Sequence, residues 1–190
     1  MVSFPRYERY KDSGIGWLGK IPEHWEVKRN KYLFLERDER KGDKQLTHFA
    51  LSKTLGLVAH SDLTDKEARA DSLDKYKYFQ ADDLVMNKMQ AWNGIFAYAN
   101  CEGVVSPDYT VFRKNNNAVN VKFYDYLYKT NLYISRFLIE SRGMGDAFKR
   151  LNTSKFSAIF AIYPPIKEQN KIVEFLDRKT EEIDRAIAHK

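Results

Sequence analysis

The sequence is poor in the residues that build covalent or metal-bound sites. Its single cysteine, Cys101, permits no intramolecular disulfide and no cysteine-based zinc cluster. The four histidines, His24, His48, His60 and His189, are scattered without the spacing of metal ligands, so we predict no metal site. Because no histidine stands in an obvious position to activate its thiol, we interpret Cys101 as a small buried or turn residue.

Long apolar runs are also missing. No segment approaches the roughly 20 apolar residues of a membrane-spanning helix, and residues 1–6 lack the apolar stretch of a secretory signal. We therefore predict no membrane association and a cytoplasmic location. With 190 residues, of which 43% are hydrophobic and 14% aromatic, the chain can still build the core of one domain.

Motifs for catalysis are absent as well. A DNA methyltransferase needs a glycine-rich cofactor turn and a polar-Pro-Pro-aromatic loop, but the only Pro-Pro pair, Pro164-Pro165, is not followed by an aromatic residue. The nearest approach to a nuclease motif pairs Pro107-Asp108 with residues 177–179, which we attribute to chance. No phosphate-binding Gly-x-x-x-x-Gly-Lys-Ser/Thr element occurs. We predict no catalytic residue and no cofactor, while a small nuclease with an unrecognised motif stays an alternative.

Positive charge is present in excess. Lysine and arginine number 32 against 26 acidic residues, which gives a formal net charge of +6 and a pI near 9.2. This balance suits a polyanionic partner such as nucleic acid. Many globular proteins are equally basic, so charge alone does not separate a DNA-binding protein from an interaction adaptor whose charge is incidental.

The pattern of apolar residues predicts an α+β fold. We expect a compact mixed β-sheet domain with short helices over residues 1–163, followed by a long helix over residues 164–190. Trp17 and Trp25 should anchor the amino-terminal segment to the body, with base stacking as the alternative. Two short helices should meet at Thr130-Asn131, and residues 64–71 should hold one or two helical turns. Strands are predicted near residues 45–51, 84–89, 94–99, 104–105, 109–112 and 159–163, with a bulge or turn at residues 106–108.

The terminal helix is the most regular element of the sequence. Residues 167–189 contain neither glycine nor proline, and their apolar side chains recur at three- and four-residue steps. A helix of about 30 Å is too long for a body of this size to cover its whole apolar face. An ordinary helix packed on its own domain is the alternative. We predict a coiled-coil-like contact with a second helix through Ile172, Val173, Leu176, Lys179, Ile183, Ala186 and Ile187.

Three segments carry groups that could bind duplex DNA, which requires cations for phosphates and amide or guanidinium groups for base edges. They are residues 87–93, 142–152 and, more weakly, 52–61. The alternatives are that Asn87 and Asn93 merely form a turn and that the second segment is a solvated basic helix end. The candidate DNA-binding residues are Lys53, Lys88, Gln90, Trp92, Asn93, Arg142, Lys149, Arg150 and Asn152.

Several of these stretches resemble one family. The sequences PPIKEQ at residues 164–169, IVEFLDRKT at 172–180 and ID at 183–184 are similar to the spacer helix of the specificity (S) subunits of type I restriction-modification systems. The opening YKDSGIGWLGKIPEHW at residues 10–25 resembles the start of many such subunits. Within the body, NKMQAW at residues 87–92 and GVVSPDY at 103–109 resemble a target recognition domain.

The resemblance implies a non-catalytic DNA-recognition subunit. Its partners would be double-stranded DNA, methyltransferase (modification) subunits and a restriction subunit, with S-adenosylmethionine and ATP bound only by those partner subunits. Family members ordinarily carry two recognition domains and two spacer helices, each domain binding half of a split target. This chain shows one copy of each, so it is either a fragment or truncated half, or it pairs with a second copy. We favour a homodimer through the carboxy-terminal helix.

Overall fold

A computed structural model describes residues 6–40, 42, 45–63, 75–141 and 149–188. The helical turns expected at residues 64–71 and the candidate Arg142 lie outside the described residues. The helices are α1 (Asn30–Leu33), α2 (Val121–Tyr128), α3 (Asn131–Glu140), α4 (Thr153–Ala158) and α5 (Ile166–Ala188), with 3₁₀ turns at His60–Asp62 and Ala91–Asn93. The strands are β1 (Tyr10–Asp12), β2 (Lys20–Pro22), β3 (Glu26–Arg29), β4 (Phe34–Arg37), β5 (Phe49–Ser52), β6 (Gly56–Ala59), β7 (Lys77–Phe79), β8 (Asp83–Asn87), β9 (Phe96–Tyr98), β10 (Gly103–Val105), β11 (Tyr109–Lys114) and β12 (Phe160–Tyr163).

A four-stranded antiparallel sheet in the order β4-β11-β8-β9 lies at the centre of the domain. Its side chains alternate between two apolar clusters because successive residues of a strand point to opposite faces. Leu84 and Phe112 pair across β8 and β11 and belong to the larger cluster. Their neighbours Val85 and Val111 pair in the same register and belong to the smaller one. Both faces of the central strands are therefore buried, which explains their near-continuous apolar sequence.

Smaller antiparallel pairs surround this sheet. They are β1-β2, β3-β12, β5-β6 and β7-β10. The sequence predicted that residues 104–112 continue a single sheet, whereas β10 pairs with β7 and only β11 joins the central sheet. The separation follows from the turn at Ser106, whose carbonyl accepts the backbone N–H of Tyr109 at 2.9 Å and redirects the chain.

Aromatic rings fill the larger cluster beneath the helices. Tyr128, Phe137 and Phe156 come from α2, α3 and α4, and each is completely buried. Phe96 from β9 lies 5.1 Å from Phe137 and 5.3 Å from Tyr128 between ring centroids. Phe96 also lies 5.7 Å from Phe156, so tilted contacts of this one ring join all three short helices to the sheet. The α+β class and the helix pair divided at Thr130-Asn131 are confirmed.

Side chains of the amino-terminal segment form hydrogen bonds to Glu168 in the first turn of α5. Trp25 is 8% exposed, and its indole N–H donates to Oε2 of Glu168 at 3.0 Å. His24 Nε2 lies 2.8 Å from the same oxygen, and the Tyr7 hydroxyl donates to the other one. Trp17 packs edge-on against Tyr133 with 5.3 Å between ring centroids. The predicted anchoring role of both tryptophans is confirmed.

Helix α5 has two differently placed halves. Gln169 and Val173 are its buried residues, whereas residues 181–188 are all exposed. Val173 is 8% exposed and belongs to the larger cluster of its own domain. Its placement differs from the sequence prediction, which assigned it to the contact with a second helix. No helix of the described chain is long and apolar enough to cross a membrane.

Candidate nucleic-acid interface

The connection from β8 to β9 forms a compact turn at one end of the central sheet. Gln90 N–H donates to the Asn87 carbonyl at 3.0 Å, and Gly94 N–H donates to the Ala91 carbonyl at 2.9 Å. Gly94 has φ of 76°, which favours glycine. The side-chain oxygen of Asn87 accepts the N–H of Met89 at 3.0 Å. Asn87 therefore stabilises the turn, as its alternative interpretation proposed.

Trp92 has a fixed orientation at this turn. Its indole N–H donates to the Met89 carbonyl at 2.8 Å, so the only polar group of the ring is already used. Lys149 approaches from a different segment, with Nζ 5.6 Å from the ring centroid. That distance is within the range of a cation–π contact. The half-buried ring thus presents an aromatic face beside a cation.

Lys53 joins the same turn from the β5-β6 hairpin. Its ammonium group donates to the side-chain oxygen of Asn93 at 2.8 Å, across 40 residues of sequence. Lys53 is exposed and Asn93 is half-buried. Gly56, with φ of 71°, closes the hairpin turn that carries Lys53. Two loops predicted separately as candidate DNA contacts therefore meet through a direct hydrogen bond.

The segment before α4 contributes the third part. Arg150 is exposed, and its Nη2 lies 3.5 Å from Sδ of Met89 and 3.6 Å from Oδ1 of Asp108. The N–H of buried Leu151 donates to the Lys88 carbonyl at 2.9 Å. Asn152 is exposed, and its carbonyl accepts the N–H of Phe156 in α4 at 3.0 Å.

Burial and nearby charges together set the pKa of Lys88 on this part of the molecule. Burial lowers the pKa of Lys88 below its usual value, and the positive charges of Lys77 and Arg150 lower it further. Asp108 and Glu36 act in the opposite direction. The Lys88 ammonium group therefore lies among charges of both signs, and burial is the main cause of its lowered pKa. A phosphate group near Lys88 and Arg150 would reduce the repulsion between these two side chains.

Eight of the nine sequence-predicted residues thus lie on three adjoining segments, and the ninth, Arg142, is outside the described residues. Sequence reasoning missed Met89 as the contact shared by Trp92 and Arg150, and it missed the approach of Asp108 to Arg150. Among the described residues, no three His, Cys, Asp or Glu side chains are grouped to hold a metal ion. We call the following set the convergent surface: Lys53, Lys88, Gln90, Trp92, Asn93, Lys149, Arg150 and Asn152.

The residues predicted to contact a second helix follow α5 along its length. Ile172, Leu176 and Lys179 are partly buried, and Ile172 packs against the larger cluster. Towards the end of the helix, Ile183 is 58% exposed and Ile187 is 66% exposed, and Ala186 is also exposed. An apolar strip therefore emerges from the domain at the carboxy-terminal end of α5.

Comparison with known families decides what kind of domain carries these features. Residues 22–189 match the type I restriction modification DNA specificity domain. The chain belongs to this family. The match confirms the resemblance found in the spacer helix and the domain body. It also includes the convergent surface and nearly all of α5.

Solved structures of this family share the fold. The HsdS subunit from Thermoanaerobacter tengcongensis superposes with a TM-score of 0.62 at 18% identity over 89% of this chain and 46% of that one. The type I S subunit from M. genitalium gives a TM-score of 0.54 at 15% identity, covering 88% of this chain and 42% of that one.

A third structure comes from work on complex assembly and conformational transition of the type I R-M system. It gives a TM-score of 0.58 at 15% identity, with coverages of 89% of this chain and 42% of the other. This specificity-domain chain therefore spans less than half the length of the three structures it matches.

Proposed function

We propose that this chain is the DNA-recognition component of a type I restriction-modification complex. It binds one part of a split target and directs methyltransferase and restriction subunits to it. The observation that carries this proposal is the convergent surface, where three sequence-distant segments bring cations, amides and a fixed aromatic ring together. Such groups match the two needs of duplex recognition, phosphate binding and base-edge contact.

The chemistry of these residues assigns phosphate contacts to some of them and base contacts to others. Lys88, Lys149 and Arg150 would neutralise phosphates and set the position of the domain on the duplex. Gln90, Asn93 and Asn152 would approach base edges. The chain itself would bind DNA without cutting or methylating it, and S-adenosylmethionine and ATP would be bound by its partner subunits in the cytoplasm.

We further propose that the exposed strip of α5 pairs with the same strip of a second copy. Ile183, Ala186 and Ile187 supply apolar surface that the domain leaves uncovered, and Leu176 and Lys179 would extend the contact towards the domain. A homodimer with twofold symmetry would place two recognition domains on two symmetric half-sites. The second candidate is a spacer helix from a longer S-subunit chain, which would use the same strip.

Salt-dependent DNA binding tests the proposed function. The double variant Lys149→Glu with Arg150→Glu should bind random duplex DNA more weakly, and its slope of log affinity against log salt should be smaller by about 2. The matched control is Lys11→Glu with Lys20→Glu, which changes the net charge equally on the β1-β2 hairpin. Fluorescence anisotropy over a salt series measures both.

Two results would contradict the proposal. Equal losses in the two double variants would mean that net charge alone attracts DNA, and absence of salt-dependent binding would favour the coiled-coil adaptor. The nuclease alternative has its own test. Incubation of the purified chain with supercoiled plasmid and Mg²⁺ should leave the plasmid intact, and nicked or linear products would support a nuclease.

A further inference from the structure

The Lys53–Asn93 contact determines which hydrogen-bonding groups the convergent surface offers to DNA. An ammonium group can only donate, so the group facing Lys53 Nζ at 2.8 Å is the Asn93 oxygen. The Asn93 amide is thereby oriented with its NH₂ group directed away from Lys53. Among the described residues this NH₂ group has no hydrogen-bond partner, so no other part of the described chain uses its two hydrogens.

We propose that Lys53 and Asn93 act as one donor-only pair that selects guanine in the major groove. The inference rests on the proposed DNA-recognition function and names a base for one position of the target. Guanine presents two acceptors there, N7 and O6, and no donor. The ammonium hydrogens of Lys53 and the NH₂ group of Asn93 are donors from two adjacent side chains, which matches that pattern.

The same contact disfavours the other bases. Asparagine usually binds adenine by accepting from N6 and donating to N7. Here the Asn93 oxygen already accepts from Lys53, and an adenine N6 donor approaching it would meet the ammonium charge. Cytosine presents its N4 donor at the same edge and is disfavoured for the same reason. Thymine offers a single acceptor, O4, and its methyl group would lie against charged and polar groups.

The side chains next to Lys53 and Asn93 offer mainly hydrogen-bond donors. The Trp92 N–H is used by the Met89 carbonyl at 2.8 Å, and the Asp108 carboxylate lies 3.6 Å from Arg150. Arg150 itself carries only donors. Of the described residues of the convergent surface on this turn, Gln90 is the one whose side chain offers a further acceptor. Guanine selection therefore follows from the composition of the turn as well as from the Lys53–Asn93 pair.

Selection of bound duplexes from a random-sequence pool by the full chain, at low salt, tests this inference. The wild type should enrich a motif containing a guanine. Asn93→Asp converts the amide to a carboxylate that pairs with Lys53 and presents an acceptor instead of donors. In that variant the preference at one guanine position should fall at least about fivefold and shift towards cytosine or adenine.

A second variant tests the pair from its other side. Lys53→Met frees the Asn93 oxygen and should raise acceptance of adenine at the same position by a similar factor. Lys20→Met is the matched control and should leave the enriched motif unchanged. Thermal unfolding of each variant verifies that the domain is folded.

The outcomes separate this inference from the proposed function. A wild-type motif that neither Asn93→Asp nor Lys53→Met alters at any position would overturn the guanine assignment while leaving DNA recognition intact. An unchanged preference in one variant would equally contradict the coupled pair. Failure of the wild-type chain to enrich any motif would overturn the proposed function, and the inference with it.

Discussion

The two halves of α5 have the same apolar periodicity but different surroundings. In the first half, the fully buried side chain of Gln169 accepts from Asn120 N–H at 2.9 Å and donates to the carbonyls of Ala118 at 3.1 Å and Pro164 at 2.7 Å. In the second half, residues 181–188 are exposed. The comparison shows that periodicity defines which face of a helix is apolar, whereas the tertiary fold decides what covers it.

The transition between the halves lies near Asp177. Its carboxylate accepts from the Tyr126 hydroxyl at 2.6 Å and from Lys122 Nζ at 2.8 Å, both on α2. Beyond it, the ion pair between Arg185 and Glu181, at 3.0 Å, stays within the helix and is largely exposed. The first half is therefore held by side chains from other parts of the domain, and the second by contacts within itself.

The largest difference in the free energy of unfolding should appear when an aspartate is introduced into each half of α5. Val173→Asp places a carboxylate in the larger cluster and should lower the free energy of unfolding by at least about 3 kcal/mol. Ile183→Asp changes an exposed residue and should alter the free energy of the monomer by no more than about 0.5 kcal/mol. Urea denaturation at low protein concentration measures both, and similar losses would contradict the division of α5.

Ile183→Asp also tests the proposed homodimer. The wild type should associate at high micromolar concentration because its apolar strip is exposed, and the variant should sediment as a folded monomer. Analytical ultracentrifugation provides the measurement, and a wild type that is already monomeric at that concentration would remove the homodimer proposal.

We expect a smaller difference in unfolding free energy when acidic residues near the transition between the two halves of α5 are replaced by alanine. Asp177→Ala removes two charge-assisted hydrogen bonds to α2 and should cost about 1.5 kcal/mol of unfolding free energy. Glu181→Ala removes an exposed ion pair and should cost less than about 0.5 kcal/mol. Both variants introduce alanine into the same helix, so the helix propensity of the new residue is the same in each. Equal losses in denaturation would show that the contact with α2 does not stabilise the first half.

The smallest effect concerns pH at the start of α5. Burial tends to raise the pKa of Glu168, but hydrogen bonds from Tyr7, His24 and Trp25 outweigh it and hold the pKa below its ordinary value of about 4.5. Because its pKa is lower in the folded state, the Glu168 carboxylate stabilises the fold at pH values above its ordinary pKa. This stabilisation is lost as the pH falls through the folded-state pKa. Glu168→Gln should therefore show a shallower decline of Tm than the wild type below about pH 4.5. Parallel Tm curves would contradict this role.

Elements with a strong local pattern were predictable. The helix expected at residues 167–189 is observed at Ile166–Ala188, and the expected strands near residues 84–89 and 94–99 are β8 and β9. The short strands β1, β2, β3, β4, β6 and β7 were missed, since three or four residues carry little periodic signal. Their positions depend on pairing with distant strands, as in the contact between β3 and β12.

The candidate site, too, was predictable in part. The residue types suited to DNA contact were visible in the sequence because lysine, arginine and amide side chains stood in glycine-bearing loops. The contact between Lys53 and Asn93 was not visible, nor was the approach of Lys149 to Trp92. Each joins loops that are far apart along the chain, so no local pattern could indicate the pairing.

The sequence by itself determined the family, the long terminal helix and the chemical groups available for binding, because these depend on local composition and spacing. Only the tertiary structure decided that Val173 packs inside its own domain while Ile183 stays exposed. It also decided that three separate loops form one surface. The physical reason is that burial and loop contacts depend on the order and register of paired strands, which are set by packing across the whole domain.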